Sequence, residues 1–438
     1  MWVGKMMKRS SKMKNSIILA CVLAFVLLFV FWGCEPEYPP SVFDWDAPHL
    51  PDPVIDSVAP PGGSFEGVGT VEIFGKNFVS GKDSVLVYFN GKRAEVLETS
   101  KTRIKVKVPV IIKSDDINVL DSVRIQVAII GAYLFGVYEP YRVARAVINY
   151  GNFSESLKPN AIACDKDENI YVACQDRKIY KVTDEKTMEV YASSKFLRTT
   201  GMKVASDGSL IISGNNKKIY RIPPGGGAPE QITYLSGKVN DIDFDENGLL
   251  YAAGKGDSIY VVNISDGSFK GAAEYVDFEL RSLRIYGEYV YVAGEYDGDN
   301  TEIPGFGVWR NEILNSNGDL GERELVFDWS EYMGEPTPEI LSINFDSEGY
   351  LYIGAKELYD NAGGYLGGVA LTKINMETGE AAPFYETVLF PPVTYMCWGN
   401  GEYMYISRNV EKPGDTTPKV RVLRAWVGKT GAPYYGRQ

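Results

Sequence analysis

The chain has 438 residues, 45% of them apolar and 13% aromatic, which is enough for more than one packed core. Its formal charge is −12, and because residues 1–33 carry five bases and no acids, the remainder stands at −12 − 5 = −17. A body this acidic excludes a nucleic-acid partner, which needs clustered Lys and Arg. The single histidine, His49, excludes Ser-His-Asp and Cys-His catalysis from all that follows it.

Residues 1–14 are basic, Ile17 to Trp32 is uncharged and almost wholly apolar, and Gly33-Cys34 follows. A basic head, a short apolar span and a small residue before the cut describe a secretory signal. The span of ~16 residues is shorter than the ~20 a membrane-crossing helix needs; an uncleaved anchor is the alternative. The stretch FVFWGC resembles a bacterial lipoprotein signal. That resemblance implies removal of residues 1–33, lipidation of Cys34, and attachment to a bacterial outer membrane or cell surface through the lipid. Residues 34–52 carry five prolines and five acids, with a sixth proline at Pro53 and no Lys or Arg. Such a composition stays extended and buries little, so the segment reads as an acidic tether. Acids soon after the Cys resemble surface-export signals of Bacteroidota-type lipoproteins.

Residues 53–143 alternate apolar and polar in short runs: TVEIFGKNF, SVLVYFNGKRAEVLET, RIKVKVP and VRIQVAII. Asn90-Gly91 between two such runs predicts a tight hairpin. Seven or so strands in this length predict an immunoglobulin-like sandwich. The segment resembles the IPT/TIG family through PVIDSVAPPGGSFEGVGTVEIFGKNF, VLVYFNGKRAEV and TRIKVKVP. The resemblance implies a spacer or binding module, without chemistry of its own.

From residue 144 to 438 one pattern recurs. Tyr171, Ile211, Tyr251, Tyr291, Tyr352 and Tyr405 hold equivalent places, at steps of 40, 40, 40, 61 and 53. A period near 40 with four strands per unit predicts a β-propeller. Insertions at 296–307 and 358–368 account for the two long steps. Six inner strands but only five outer ones follow residue 160, while RAVINYGN at 145–152 looks like an outer strand without a unit of its own. The expected fold is therefore all-β: a sandwich, then a six-bladed propeller whose last blade is closed by this early strand. The unit PNAIACDKDENIYVA resembles NHL-type repeats.

Asp243-x-Asp245-x-Asn247-Gly248 matches the opening of a calcium loop, but the twelfth position is Gly254 rather than a bidentate acid. The residues read instead as a turn, with Asp and Asn bonding their own backbone; Asp165-x-Asp167-x-Asn169 reads the same way. Cys164, Cys174 and Cys397 leave at least one free thiol. Cys164 and Cys174 fall in adjacent strands, as two buried thiols or as a bridge.

Function has two readings. The first is non-catalytic binding of a glycan or a protein. Trp309, Trp329, Tyr332 and Trp398 are then candidates for stacking on sugar faces, the alternative being that they fill space between blades. The second is a calcium-dependent hydrolase, because the chain resembles six-bladed lactonases that hold calcium at the centre. The starts of the inner strands set Asn160, Asn240, Asp241, Arg281, Glu339 and Thr394 around the central channel, and the resemblance implies a calcium held by Asn160, Asn240, Asp241 and Glu339 among them; a polar channel lining is the alternative. No cofactor is expected on the first reading, and calcium on the second.

Overall fold

The computed structural model describes residues 49–438 except 115, 361, 411–418, 420 and 438. The expected signal, Cys34 and most of the tether lie outside the described residues. From Pro51 onward the chain forms one compact unit.

The sandwich consists of two sheets. One orders Val54–Ala59, Thr70–Lys76, Arg103–Lys107 and Glu95–Thr99; the other orders Ser64–Glu66, Gly136–Arg145, Val119–Ile129, Val85–Phe89 and Lys92–Arg93. Its strands are apolar at every second residue, and those residues meet in one core: Val71 and Ile73, Val85, Val87 and Phe89, Ile104 and Val106, Val123, Ile125 and Val127. Period-two burial is what a sheet with one wet face requires. The predicted hairpin is present. Phe89 pairs with Lys92, and Asn90 and Gly91 both take positive φ, at 46° and 79°. That twist suits a two-residue turn.

Six four-stranded antiparallel sheets follow as blades. The inner strands are Pro159–Cys164, Thr199–Val204, Asp241–Phe244, Phe278–Tyr286, Ile340–Phe345 and Tyr395–Trp398. The recurring Tyr or Ile sits in the second strand of every blade: Ile170–Cys174, Leu210–Gly214, Leu250–Ala253, Tyr289–Tyr296, Leu351–Ala355 and Tyr403–Ser407. These strands are buried on both faces, because each sheet packs between two others, and so they read as continuous apolar runs. The insertion near 358–368 folds as a small hairpin, Leu358–Tyr359 against Tyr365–Gly367.

The last blade closes as expected. Val147–Asn149 forms its outer strand, pairing Val147 with Ala425, Ile148 with Arg424 and Asn149 with Leu423. Two flanking bonds extend the seam, Tyr150 N–H to the Val422 carbonyl at 3.0 Å and Trp426 N–H to the Ala146 carbonyl at 2.8 Å. Joining first and last segments in one sheet removes the free strand edges that an open ring would expose. The final sandwich strand ends at Arg145 and the closing strand begins at Val147, so the sandwich runs straight into the seam. It is also docked. Phe65 stacks on Trp426 at 4.4 Å, Asn118 Nδ2 donates to Glu185 at 3.1 Å, and Thr387 Oγ1 donates to the Gly67 carbonyl at 3.1 Å.

The repeat has a polar spine. At the end of three inner strands an Asp accepts two backbone N–H groups of the following turn and the hydroxyl of the Tyr six residues on. Asp165 takes Asp167 N, Asn169 N and Tyr171 OH. Asp245 takes Asn247 N, Leu249 N and Tyr251 OH. Asp346 takes Glu348 N, Tyr350 N and Tyr352 OH. The turn reading of this motif therefore holds for Asp165 and Asp245. Asp243 differs: its carboxylate points away from the turn and pairs with Arg284.

Cys164, Cys174 and Cys397 are three separate buried thiols. Burial pushes the Cys164 thiol up to about 12, and it raises those of Cys174 and Cys397 as well.

Candidate functional site

The two ends of the propeller axis differ. At the end where the inner strands finish, the C-terminal segment folds back into the ring. Tyr434 OH accepts from Asn344 Nδ2 at 2.7 Å and from Trp398 N at 2.9 Å. Arg437 donates to the carbonyls of Trp398 and Gly399 at 2.8 and 3.2 Å. Gly436 lies so close to Val204 O and Phe244 that a Cβ there would meet them at 2.4 and 2.5 Å, which is why the segment needs glycine at that point.

Beneath this plug lies a buried charge network. Arg284 stacks on the Tyr434 ring at 3.9 Å. It pairs with Asp243 and donates to Asn344 Oδ1 at 3.1 Å and to the carbonyls of Ala432 and Pro433 at 3.2 and 2.8 Å. A guanidinium taken fully out of water requires this degree of satisfaction. Lys203 is nearby. Burial opposes its charge, but the carboxylates of Asp241 and Asp243 more than restore it, and its pKa is raised.

The opposite end is open. A cavity of about 390 Å³ is lined by Lys158, Gln175, Arg198, Arg281, Glu339, Leu341, Lys356, Glu357, Thr394 and Asn409. These residues come from five of the six blades, from the starts of inner strands and the ends of second strands. On the side of the fourth and fifth blades the charges are matched. Arg281 reaches Glu279 at 2.8 Å and Glu339 at 3.5 Å, and Lys356 reaches Glu339 at 2.7 Å. Lys255 extends the ladder to Glu279 at 3.2 Å. Burial, reinforced by Glu339, raises the carboxyl of Glu295 beside this ladder. Glu357 accepts from Tyr359 OH at 3.2 Å.

Of the six central residues expected from sequence, Arg281, Glu339 and Thr394 meet at this mouth. Asn160 lies just below, its Oδ1 accepting from Asn409 Nδ2 at 2.7 Å. Asn240 and Asp241 are buried in the wall. Asn240 Nδ2 donates to the Leu280 carbonyl at 2.8 Å. Asp241 accepts from Ile242 N, Ser282 Oγ and Leu283 N, each at 2.9 Å. A central calcium site from Asn160, Asn240, Asp241 and Glu339 is therefore not assembled. Asp241 spends its oxygens on protein donors, and Glu339 is held between two cations. Among the described residues no group of three or more His, Cys, Asp and Glu side chains is placed to share a metal ion.

The aromatic candidates are mostly core. Trp309, Trp329 and Trp398 are buried. Trp309 packs edge-on to Phe278 at 5.0 Å. Trp329 Nε1 donates to the Pro338 carbonyl at 2.7 Å and Trp398 Nε1 to the Lys429 carbonyl at 2.9 Å. Buried with their rings wedged between strands, these three side chains offer no face to a ligand, and the space-filling alternative is the correct one for them. Tyr332, 37% exposed, is the one candidate at the surface.

Sequence reasoning missed Lys158, Gln175, Arg198, Lys356, Glu357 and Asn409. A signal was available for half of them. Four residues beyond the repeat position stand Gln175, Asn215, Lys255, Glu295, Lys356 and Asn409, a polar residue in every blade directly after an apolar strand.

Residues 53–134 match the family model of the IPT/TIG domain. Among the solved structures similar to the chain is an auxiliary nutrient binding protein from Bacteroides thetaiotaomicron VPI-5482. It is 11% identical, with 85% of this chain and 97% of that one covered and a TM-score of 0.45. Another auxiliary nutrient binding protein, from Bacteroides ovatus ATCC 8483, is 12% identical over 85% of this chain and 97% of that one, with a TM-score of 0.43. A gluconolactonase from Xanthomonas campestris is 11% identical over 64% and 89%, with a TM-score of 0.46. At these identities the likeness concerns the path of the backbone alone. No curated protein matches the chain.

Proposed function

We propose that this protein is a non-catalytic binding protein of a bacterial cell surface, held on the membrane through a lipid on Cys34. The docked sandwich serves as a spacer, and the propeller mouth receives a glycan or protein ligand. The observation that carries this reading is the mouth itself. It is a polar cavity of about 390 Å³ over an axis whose far end is plugged by the chain's own C-terminus. Ligand sites typically measure ~300–1,000 Å³ and converge a few polar groups from a rigid frame.

Catalysis has less support at this place. Hydrolysis by a carboxylate needs a group with a free lone pair or a raised pKa facing the substrate. In the lining Glu339 is clamped by Arg281 and Lys356, and Glu295, the carboxyl that burial raises, stands outside the lining.

The test is thermal stabilisation of the full-length protein in detergent by a panel of soluble oligosaccharides, with and without chelator. The expected result is a rise in Tm that survives chelation and shrinks in the double variant Thr394→Val, Asn409→Ala. Stabilisation that vanishes with chelator supports the metal-dependent alternative, and stabilisation indifferent to the double variant removes the mouth as the site. For the anchor, Cys34→Ser is expected to move the protein from the membrane fraction to the soluble one.

A further inference from the structure

The cations of the mouth are not all matched. Four basic side chains line it, Lys158, Arg198, Arg281 and Lys356, against two carboxylates, Glu339 and Glu357. Arg281 and Lys356 share Glu279 and Glu339. Lys158 and Arg198, on the opposite wall, have no ion-pair partner within 4.0 Å among the described residues. Both precede inner strands of neighbouring blades, Pro159–Cys164 and Thr199–Val204. The Lys158 carbonyl accepts from Gln175 N at 3.0 Å, so that the Gln175 amide side chain stands beside the two cations. Under this wall Asn160 Nδ2 is buried without a hydrogen-bond partner, a cost of roughly 1–3 kcal/mol for an unsatisfied polar group.

We infer that the mouth is selective for a carboxylate-bearing sugar, its acid group held between Arg198 and Lys158. This rests on the reading of the mouth as a ligand site. A guanidinium offers paired, parallel N–H donors that match the two oxygens of a planar carboxylate, and an ammonium adds a point charge. Gln175, Thr394 and Asn409 are suited to the ring hydroxyls, and Leu341 is the one apolar side chain of the lining, suited to a C–H face. The unmatched pair raises the local concentration of anions against the acidic body of the protein. It also makes a neutral sugar a poorer ligand, because that sugar would desolvate two cations and neutralise neither.

Isothermal titration of the full-length protein in detergent tests this with three probes: a galacturonate trimer, its fully methyl-esterified form, and a sulfated heparin disaccharide. The expected result is binding of the trimer at least tenfold tighter than of either other probe. That affinity falls at least tenfold in Arg198→Ala and in Lys158→Ala, is partly kept in Arg198→Lys, and weakens with added salt. Arg198 is exposed and Lys158 half-buried, and an unchanged urea midpoint in both variants serves as the folding control. Equal affinity for the ester, or preference for the sulfated probe, overturns the inference while leaving the mouth a ligand site. Trimer binding that ignores both substitutions and also ignores Thr394→Val, Asn409→Ala overturns the inference and the reading of the mouth together. No binding of the trimer overturns the inference, and the wider oligosaccharide panel then decides the mouth.

Discussion

Replacing Asp346 by alanine probes the polar spine that repeats along the propeller. The carboxylate is fully buried. It accepts from Glu348 N and Tyr350 N at 3.0 Å each and from Tyr352 OH at 3.1 Å, and Lys373 Nζ lies at 3.5 Å. Each donor stranded by its removal costs roughly 1–3 kcal/mol if it stays buried. The two turn amides belong to an exposed residue, Glu348, and a half-buried one, Tyr350, and regain some water, whereas the Tyr352 hydroxyl does not. Taking about 1 kcal/mol for each of the three gives an expected loss of about 3 kcal/mol. Tyr352→Phe removes only one bond and leaves Asp346 with its other donors, so it is expected to lose about 1 kcal/mol. In the double variant the hydroxyl has no acceptor to lose, and the two effects fall short of additivity by about 1 kcal/mol. Urea unfolding followed by tryptophan fluorescence measures all three, since Trp309, Trp329 and Trp398 are buried in the propeller. A loss below about 1 kcal/mol for Asp346→Ala, or additivity within ~0.3 kcal/mol, would refute the view that this residue organises the turn and the tyrosine together.

Three further expectations concern other parts of the ring. Ile148→Pro removes a donor from the centre of the closing strand, where Ile148 faces Arg424; with a cost of ~3 kcal/mol or more, limited proteolysis is expected to cut near the seam and the protein to associate through its opened edge. Tyr434→Ala withdraws the acceptor of Trp398 N, one of the two acceptors of Asn344 Nδ2, and the ring under Arg284; a loss of about 3 kcal/mol is expected by urea unfolding, from the stranded Trp398 amide and the lost packing. The buried thiols make stability fall at alkaline pH. The unfolded thiol titrates near ~8.5, whereas Cys164 does so at about 12 in the native chain. Its contribution is thus complete below ~8.5 and is lost as pH rises from there towards about 12, because the unfolded state releases its proton first. Reaction of Cys164, Cys174 and Cys397 with a thiol reagent at pH 8 is expected only in denaturant, and fast native labelling would contradict their burial.

The amino-acid sequence by itself determined the number of blades, the order of their strands and the borrowed closing strand. These depend on short-range patterning: apolar runs that alternate or stay continuous, turn residues after them, and a count of six inner strands against five outer ones. The sandwich was legible for the same reason, since the Asn90-Gly91 turn and the period-two strands are local features. Only the tertiary structure decided the site. A tryptophan in a strand looks alike in sequence whether its ring faces solvent or a neighbouring blade, and Trp309, Trp329 and Trp398 face inward. Likewise Asn240 and Asp241 sit at inner-strand starts as expected, but which partner takes each side chain depends on residues 40 or more positions away, such as Leu280 and Ser282. The plug of Tyr434 and Arg437 and the unmatched pair of Lys158 and Arg198 arise because ring closure brings distant segments to one axis. No local pattern encodes how charges from five blades cancel, or fail to cancel, at its open end.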